Sequence, residues 1–183
     1  MKSKKIFPLI IPVLLAAGLI LLGNPSIKQN QTIQSSSTTN KQISILRETV
    51  KVLRVVDGDT IKVLINNKED TVRLIGIDAP ETVALEKPVQ CFGKQASDKA
   101  KKALTGKEVV LESDLTQGER DEYGRLLRYV FVDSLNFNQI MVSDGYAREY
   151  TFKGKAYKYQ IEFVQAEQQA RKDKEGIWSA CEN

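Results

Sequence analysis

The 183-residue chain has no histidine and only two cysteines, Cys91 and Cys181, which removes the commonest acid–base side chain and any Cys- or His-rich zinc site. Its net charge of +4 belongs to the N-terminus: residues 1–48 hold six basic side chains and one acidic, leaving 21 basic and 22 acidic in the remainder. A nucleic-acid role therefore needs a local charge cluster, catalysis must come from Asp, Glu, Arg, Lys, Tyr or hydroxyl groups, and any metal should be a hard cation held by oxygen.

The chain opens with three lysines followed by an uncharged apolar run, Ile6–Leu22. That pattern marks residues 1–23 as an export signal or an N-terminal membrane anchor. The run falls slightly short of the ~20 residues that comfortably span a bilayer, and no small-x-small cleavage site follows it cleanly, so both readings stay open. In either case the lysines stay inside and the rest is exported. The expected location is extracytoplasmic, anchored to the membrane or secreted. Residues 24–48, rich in Ser, Thr, Gln and Asn, read as a flexible polar linker, with the folded domain over 49–183.

From Thr49 the pattern alternates. The runs TVKVLRVV and TIKVLI are β-branched with period two, and INNKED forms a hairpin turn into TVRLIGI. An irregular stretch with two prolines, residues 78–92, leads to a helix in GKQASDKAKKALTGK, with Ala96, Ala100 and Ala103/Leu104 at helical spacing and Gly106 as its stop. EVVLES is a fourth strand and LLRYVFV a fifth, joined by the polar turn DLTQGERDEYG. A short helix spans about Asn136 to Asp144, closed by Gly145. A last helix, about Ala156 to Lys174, carries Tyr159, Phe163, Ala166 and Ala170 on one core-facing stripe. Three meandering strands, a helix, two strands and further helices predict an α+β, mainly β fold: a five-stranded OB-fold barrel with three helices. Function must be argued from the site.

Three stretches concentrate charge: DGDT (57–60), RLIGIDAPET (73–82) and DEYGR (121–125). Each alone is ordinary, since DGDT is commonly a turn, Pro80 disfavours helix at Ala79, and a Tyr-Gly-Arg is commonly a solvated surface feature. Together, in this order and from about Val52 to Trp178, they closely resemble the staphylococcal nuclease (thermonuclease) family.

The resemblance implies roles. The second aspartate of DGDT and the aspartate of DAPE, here Asp59 and Asp78, ligate calcium together with the backbone carbonyl of the following residue, here Ala79. Hard-cation chemistry suits that set. Asp57 shapes the turn or supports the ligands, and Gly58 permits a tight backbone between the two aspartates. Glu81 matches the glutamate that activates or orients the attacking water. Arg73 and Arg125 match two arginines whose forks suit phosphate oxygens and the added charge of a pentacoordinate transition state. Tyr123 matches a tyrosine near the nucleotide, and Tyr150 falls near a base-stacking position, with Phe152 beside it. Glu122 departs from the family pattern, which has lysine there, and should weaken the grip on one flanking phosphate. Lys153, Lys155 and Lys158 are a compensating patch or simply a solvated face.

The implied activity is a calcium-dependent extracytoplasmic nuclease acting on DNA and RNA, with 3′-phosphate products, as a monomer. The rival reading is a catalytically weak nucleic-acid- or protein-binding module on the same fold, tethered at the cell surface. Such domains should lose one or more of Asp59, Arg73, Asp78, Glu81 and Arg125, and all five are present. In an oxidising space Cys91 and Cys181 can form one disulfide, pinning the chain end to the 78–92 stretch; two free thiols are the alternative.

Overall fold

The β-branched alternation of residues 47–74 builds one antiparallel meander in the computed structural model, which describes residues 46–82 and 88–181. Its strands are β1 (Arg47–Asp57), β2 (Thr60–Ile65) and β3 (Lys68–Leu74). Val50, Val52, Ile61, Val63, Val72 and Leu74 point inward, and each such side chain stabilises the fold by about 1.5–3 kcal/mol. The β2–β3 turn has Asn66 and Asn67 at φ 49° and 61°. Asparagine tolerates that left-handed pair, and its twist suits a two-residue hairpin.

The chain continues through β4 (Ile77–Asp78), α1 (Gly93–Leu104), β5 (Glu108–Glu112), β6 (Leu126–Val132), β7 (Leu135–Asn136), α2 (Phe137–Ser143) and β8 (Arg148–Glu149). One turn of 3₁₀ helix (Phe152–Gly154), α3 (Gln160–Asp173) and α4 (Ile177–Ala180) complete it. The sheet order is β3-β2-β1-β5-β6, and a parallel β3–β6 pairing closes it into a five-stranded barrel of the OB type. α1 lays Ala96, Ala100 and Leu104 into the core. α2, whose Asn136 cap accepts from the Gln139 N–H, buries Phe137, Met141 and Val142. β4 and β8 form a separate two-stranded ribbon at the barrel rim, with Asp78 opposite Arg148.

Several boundaries differ from the sequence reading: β3 starts at Lys68, inside the INNKED turn, and stops at Leu74, and α4 adds a fourth helix to the three expected. β1 starts at Arg47, two residues earlier, because Leu46 N–H donates to Ser113 Oγ at 2.8 Å and Arg47 pairs with Glu112. α3 starts at Gln160, not Ala156. The Ala156 carbonyl accepts from Thr116 Oγ1 (3.0 Å) and Gln117 Nε2 (2.9 Å), and Lys158 N–H donates to Asp114 Oδ2 at 2.8 Å. Those backbone groups are engaged by the turn after β5 and cannot begin a helix. The apolar run of residues 1–23 lies outside the described residues, as does the linker up to residue 45. Among the described residues no helix is long and apolar enough to cross a membrane.

Candidate active site

β1 and β2 are joined by Gly58 and Asp59, with Asp57 opposite Thr60 and a register shift just before it. Such an irregularity re-aims the strand end. Both aspartates end up enclosed, each residue more than nine-tenths buried. The glycine between them is required by space: a Cβ there would stand 2.6 Å from the Ala79 Cβ and 3.2 Å from that of Ala96. Close approach of the Asp78–Ala79 segment, not left-handed backbone, is what the position demands.

Arg73 ties the two acidic stretches together. Its alternation with buried Val72 and Leu74 on β3 puts it on the outer face of the barrel. Nη1 donates to the carbonyls of Leu74 and Ile77, both at 2.7 Å. Nη2 lies 3.1 Å from Asp59 Oδ2 and 3.3 Å from Asp78 Oδ1. The Ala79 N–H donates to the same Asp59 Oδ2 at 3.0 Å, while Thr60 Oγ1 donates to Oδ1 at 2.9 Å. Asp59 and Asp78 thus flank one cationic nitrogen, and the Asp78–Ala79 peptide is bonded to Asp59. Desolvation pushes the Asp78 carboxyl up from its ordinary value; Arg73 opposes this, and the like charge of Asp59 adds to it.

Asp57 supports the second half of the same loop. Its Oδ1 accepts from Gly58 N–H (2.7 Å) and Thr82 Oγ1 (3.1 Å), and its Oδ2 from Thr82 N–H (3.2 Å). It also shares a hydrogen bond with the Glu81 side chain. Burial, then that bond, pushes the Asp57 carboxyl up to about 6, against the pull of the two backbone N–H donors. Glu81 is held from the other side by Gln90, whose Oε1 accepts from Glu81 N–H at 2.9 Å and whose own N–H donates to the Glu81 carbonyl at 3.0 Å.

Arg125 precedes β6. Leu126 pairs with Val72 and Leu127 with Arg73 across the parallel seam. Because Leu126 and Val72 both point inward, Arg125, one residue before β6, has the same outward parity as Arg73 on the neighbouring β3. Asp121 shapes the turn that presents Arg125: its Oδ1 accepts from the N–H groups of Tyr123 (3.0 Å) and Arg125 (2.9 Å), and its Oδ2 from Arg125 Nε (2.6 Å). Gly124, at φ 78°, closes the turn. The Arg125 guanidinium lies 5.2 Å from the Tyr123 ring centroid. Its contacts are with Asp121 and Tyr123 rather than with the Arg73–Asp59–Asp78 cluster.

Tyr123 is 76% exposed, Tyr150 and Phe152 44% each. Tyr150 hangs from the rim by its N–H to the Gly76 carbonyl (3.0 Å), with its ring 6.3 Å from that of Phe152. A disulfide joins Cys91 to Cys181, with Cα atoms 5.9 Å apart. Lys158 is engaged elsewhere, its Nζ 2.6 Å from Glu112 Oε1. Sequence reasoning did not single out Thr82, Gln90 or Arg148. Arg148 stands opposite Asp78 on β8, with its guanidinium 4.1 Å from the Trp178 ring centroid, and Arg171 lies 3.9 Å from the same centroid. Gln90 and Arg148 lie outside the three charged stretches, and the part that Thr82 plays at the end of RLIGIDAPET depends on which strands and loops meet.

A family model described as staphylococcal nuclease homologue matches residues 71–180. The thermonuclease of Staphylococcus hyicus is 40% identical over 167 residues, covering 91% of this chain and 95% of its own length. The thermonuclease of Staphylococcus intermedius is 38% identical over 166 residues, covering 91% and 94%. Endonuclease YncB of Bacillus subtilis is 39% identical over 156 residues, covering 84% and 72%. Barrel, rim cluster and similarities together define a nuclease-type hydrolase on an OB barrel. The chain belongs to the staphylococcal nuclease homologue family.

Proposed function

We propose that the protein is a calcium-dependent nuclease that hydrolyses DNA and RNA to 3′-phosphate products outside the cytoplasm. The observation that carries this reading is the convergence of Asp59 Oδ2 and Asp78 Oδ1 on one Arg73 nitrogen, at 3.1 and 3.3 Å. Two carboxylates that already share a single positive charge fit a divalent ion, which takes oxygen ligands at about 2.3–2.6 Å. Among the described residues no three His, Cys, Asp or Glu side chains cluster to hold a metal. Asp59, Asp78 and the Ala79 carbonyl would therefore hold the ion together with water, a mixed shell that Ca²⁺ accepts. When bound, the ion neutralises charge on a phosphoryl oxygen.

The chain's own groups do the rest. Glu81 takes a proton from, or orients, the water that attacks phosphorus. Arg73, its plane fixed by the Leu74 and Ile77 carbonyls, and Arg125, fixed by Asp121, supply guanidinium charge to the pentacoordinate transition state. The bond from phosphorus to the 5′-oxygen breaks, the leaving 5′-oxygen takes a proton from solvent and departs as an alcohol, and the phosphate stays on the 3′ side. Exposed Tyr123 and Tyr150 hold the nucleotide by hydrogen bonding and stacking, which any base satisfies. One copy of the chain carries every group named, so the working unit is a monomer. The lysine-flanked apolar run and the disulfide support an extracytoplasmic location, membrane-anchored or secreted.

Incubating the full chain with plasmid DNA and with RNA, in calcium and in excess chelator, tests the assignment. Calcium-dependent cleavage leaving phosphatase-sensitive 3′ ends is the expected result. Undiminished cleavage in chelator, or 5′-phosphate ends, would overturn it.

A further inference from the structure

We infer that Gln90 is a positioning residue for Glu81, and that the Cys91–Cys181 disulfide holds Gln90 in that place. The inference rests on the water-activating role proposed for Glu81. Two bonds clamp the Glu81 backbone to Gln90 from both sides of the peptide: Glu81 N–H to Gln90 Oε1 at 2.9 Å, and Gln90 N–H to the Glu81 carbonyl at 3.0 Å. The Gln90 carbonyl then accepts from Gly93 N–H at 2.9 Å, at the first residue of α1. Gly93 permits this approach, since a Cβ there would stand 2.8 Å from the Glu81 carbonyl oxygen and 3.2 Å from that of Pro80. Glu81 is thereby seated on the first turn of α1 through Gln90, while Asp57 holds the adjacent Thr82.

Gln90 is exposed. Water competes for both of its bonds, so hydrogen bonding alone holds it weakly. The neighbouring residue removes that freedom. Cys91 is bonded to Cys181 at the end of α4. That helix is itself fixed: Ile177 N–H donates to the Gly145 carbonyl at 2.9 Å, and Trp178 packs with Ala170 and Phe92. The cross-link thus runs from the C-terminal helix to within one residue of the Glu81 clamp. A catalytic carboxylate whose placement drifts by about 1 Å can lose on the order of 10² in rate, so anchoring this loop bears directly on turnover.

The test compares Gln90→Met, which keeps the size but removes the accepting oxygen, with Gln90→Glu, which retains one, and with Glu81→Gln in parallel. All are made in the full chain with the disulfide intact. Steady-state kinetics on a short single-stranded DNA give kcat and KM, and calorimetric titration with calcium alone reports the metal site independently of activity. Gln90→Met should lower kcat about tenfold to a hundredfold with KM and calcium affinity within about twofold of wild type, and Gln90→Glu should restore most of the loss. Reducing the wild-type disulfide with dithiothreitol, at a temperature where circular dichroism shows the chain folded, should lower kcat in the same sense, with recovery on reoxidation. An inactive Glu81→Gln beside a fully active Gln90→Met overturns the positioning role alone. Full activity in Glu81→Gln overturns the water-activation reading, and the inference with it.

Discussion

Arg73 does two kinds of work at once. One nitrogen braces the β3–β4 corner through two carbonyls, and the other faces both acidic side chains. Lysine preserves the charge but not the fork. Arg73→Lys should therefore lower kcat by about 10²–10³, by analogy with loss of a transition-state donor, while circular dichroism shows a folded protein. A variant within twofold of wild type would remove Arg73 from the catalytic set. Gly58 is the second revealing residue. Gly58→Ala forces a methyl against Ala79, and overpacking of that kind costs about 1–3 kcal/mol. Because Ala79 follows Asp78, calcium affinity should fall together with the urea midpoint. A loss of stability with unchanged calcium affinity would contradict the coupling. Asp57, Asp59 and Asp78 were legible from the motif and its resemblance. The reason for the glycine was not, because it depends on the approach of a segment about twenty positions away in sequence.

At the scale of elements, β5 and the head of α3 are joined by a buried carboxylate. Glu112 has its side chain fully enclosed. It accepts from Arg47 Nε (2.6 Å), Lys158 Nζ (2.6 Å) and Tyr159 Oη (2.8 Å). Burial alone would raise its pKa, but the bonds from Lys158, Tyr159 and Arg47 outweigh it and hold Glu112 below its ordinary value. Asp114, held by Lys158 N–H, the Tyr129 hydroxyl and Thr116, is lowered in the same way against its own burial. A carboxyl with a lowered folded-state pKa stabilises the fold above its unfolded value and loses that contribution as pH falls through the folded one. Chemical denaturation should show stability dropping as pH falls below about 4, with Glu112→Gln about 1.5–3 kcal/mol less stable than wild type at pH 7 and the gap narrowing in acid. A gap independent of pH would contradict an ionised Glu112. The strands themselves were legible because period-two alternation is local. The start of α3 was not, since Ala156 and Lys158 are claimed by the turn at 114–117. Nor was the burial of Arg128 inside β6, where Glu119 from the preceding turn supplies the partner charge.

For the whole molecule, the parallel β3–β6 seam and the Cys91–Cys181 bond are the two closures. The seam sets Arg73 on β3 beside the start of β6, which Arg125 immediately precedes. Strand order suggested a barrel, but no local pattern encodes which edges meet. The disulfide spans 90 residues of sequence, and removing a bridge of this kind costs about 2–5 kcal/mol. The Cys91→Ser/Cys181→Ser double variant should melt on the order of 10 °C lower than wild type. An unchanged melting temperature would show that the bridge adds nothing to global stability.

The proposed nuclease stands or falls with one calcium site formed by Asp59 and Asp78 on the rim of the barrel. Calorimetric titration of the purified full chain with calcium, beside Asp59→Asn and Asp78→Asn, tests it most directly. A single site in the wild type, lost in both variants, is the expected result. Calcium bound equally well by all three proteins, or by none, would contradict it.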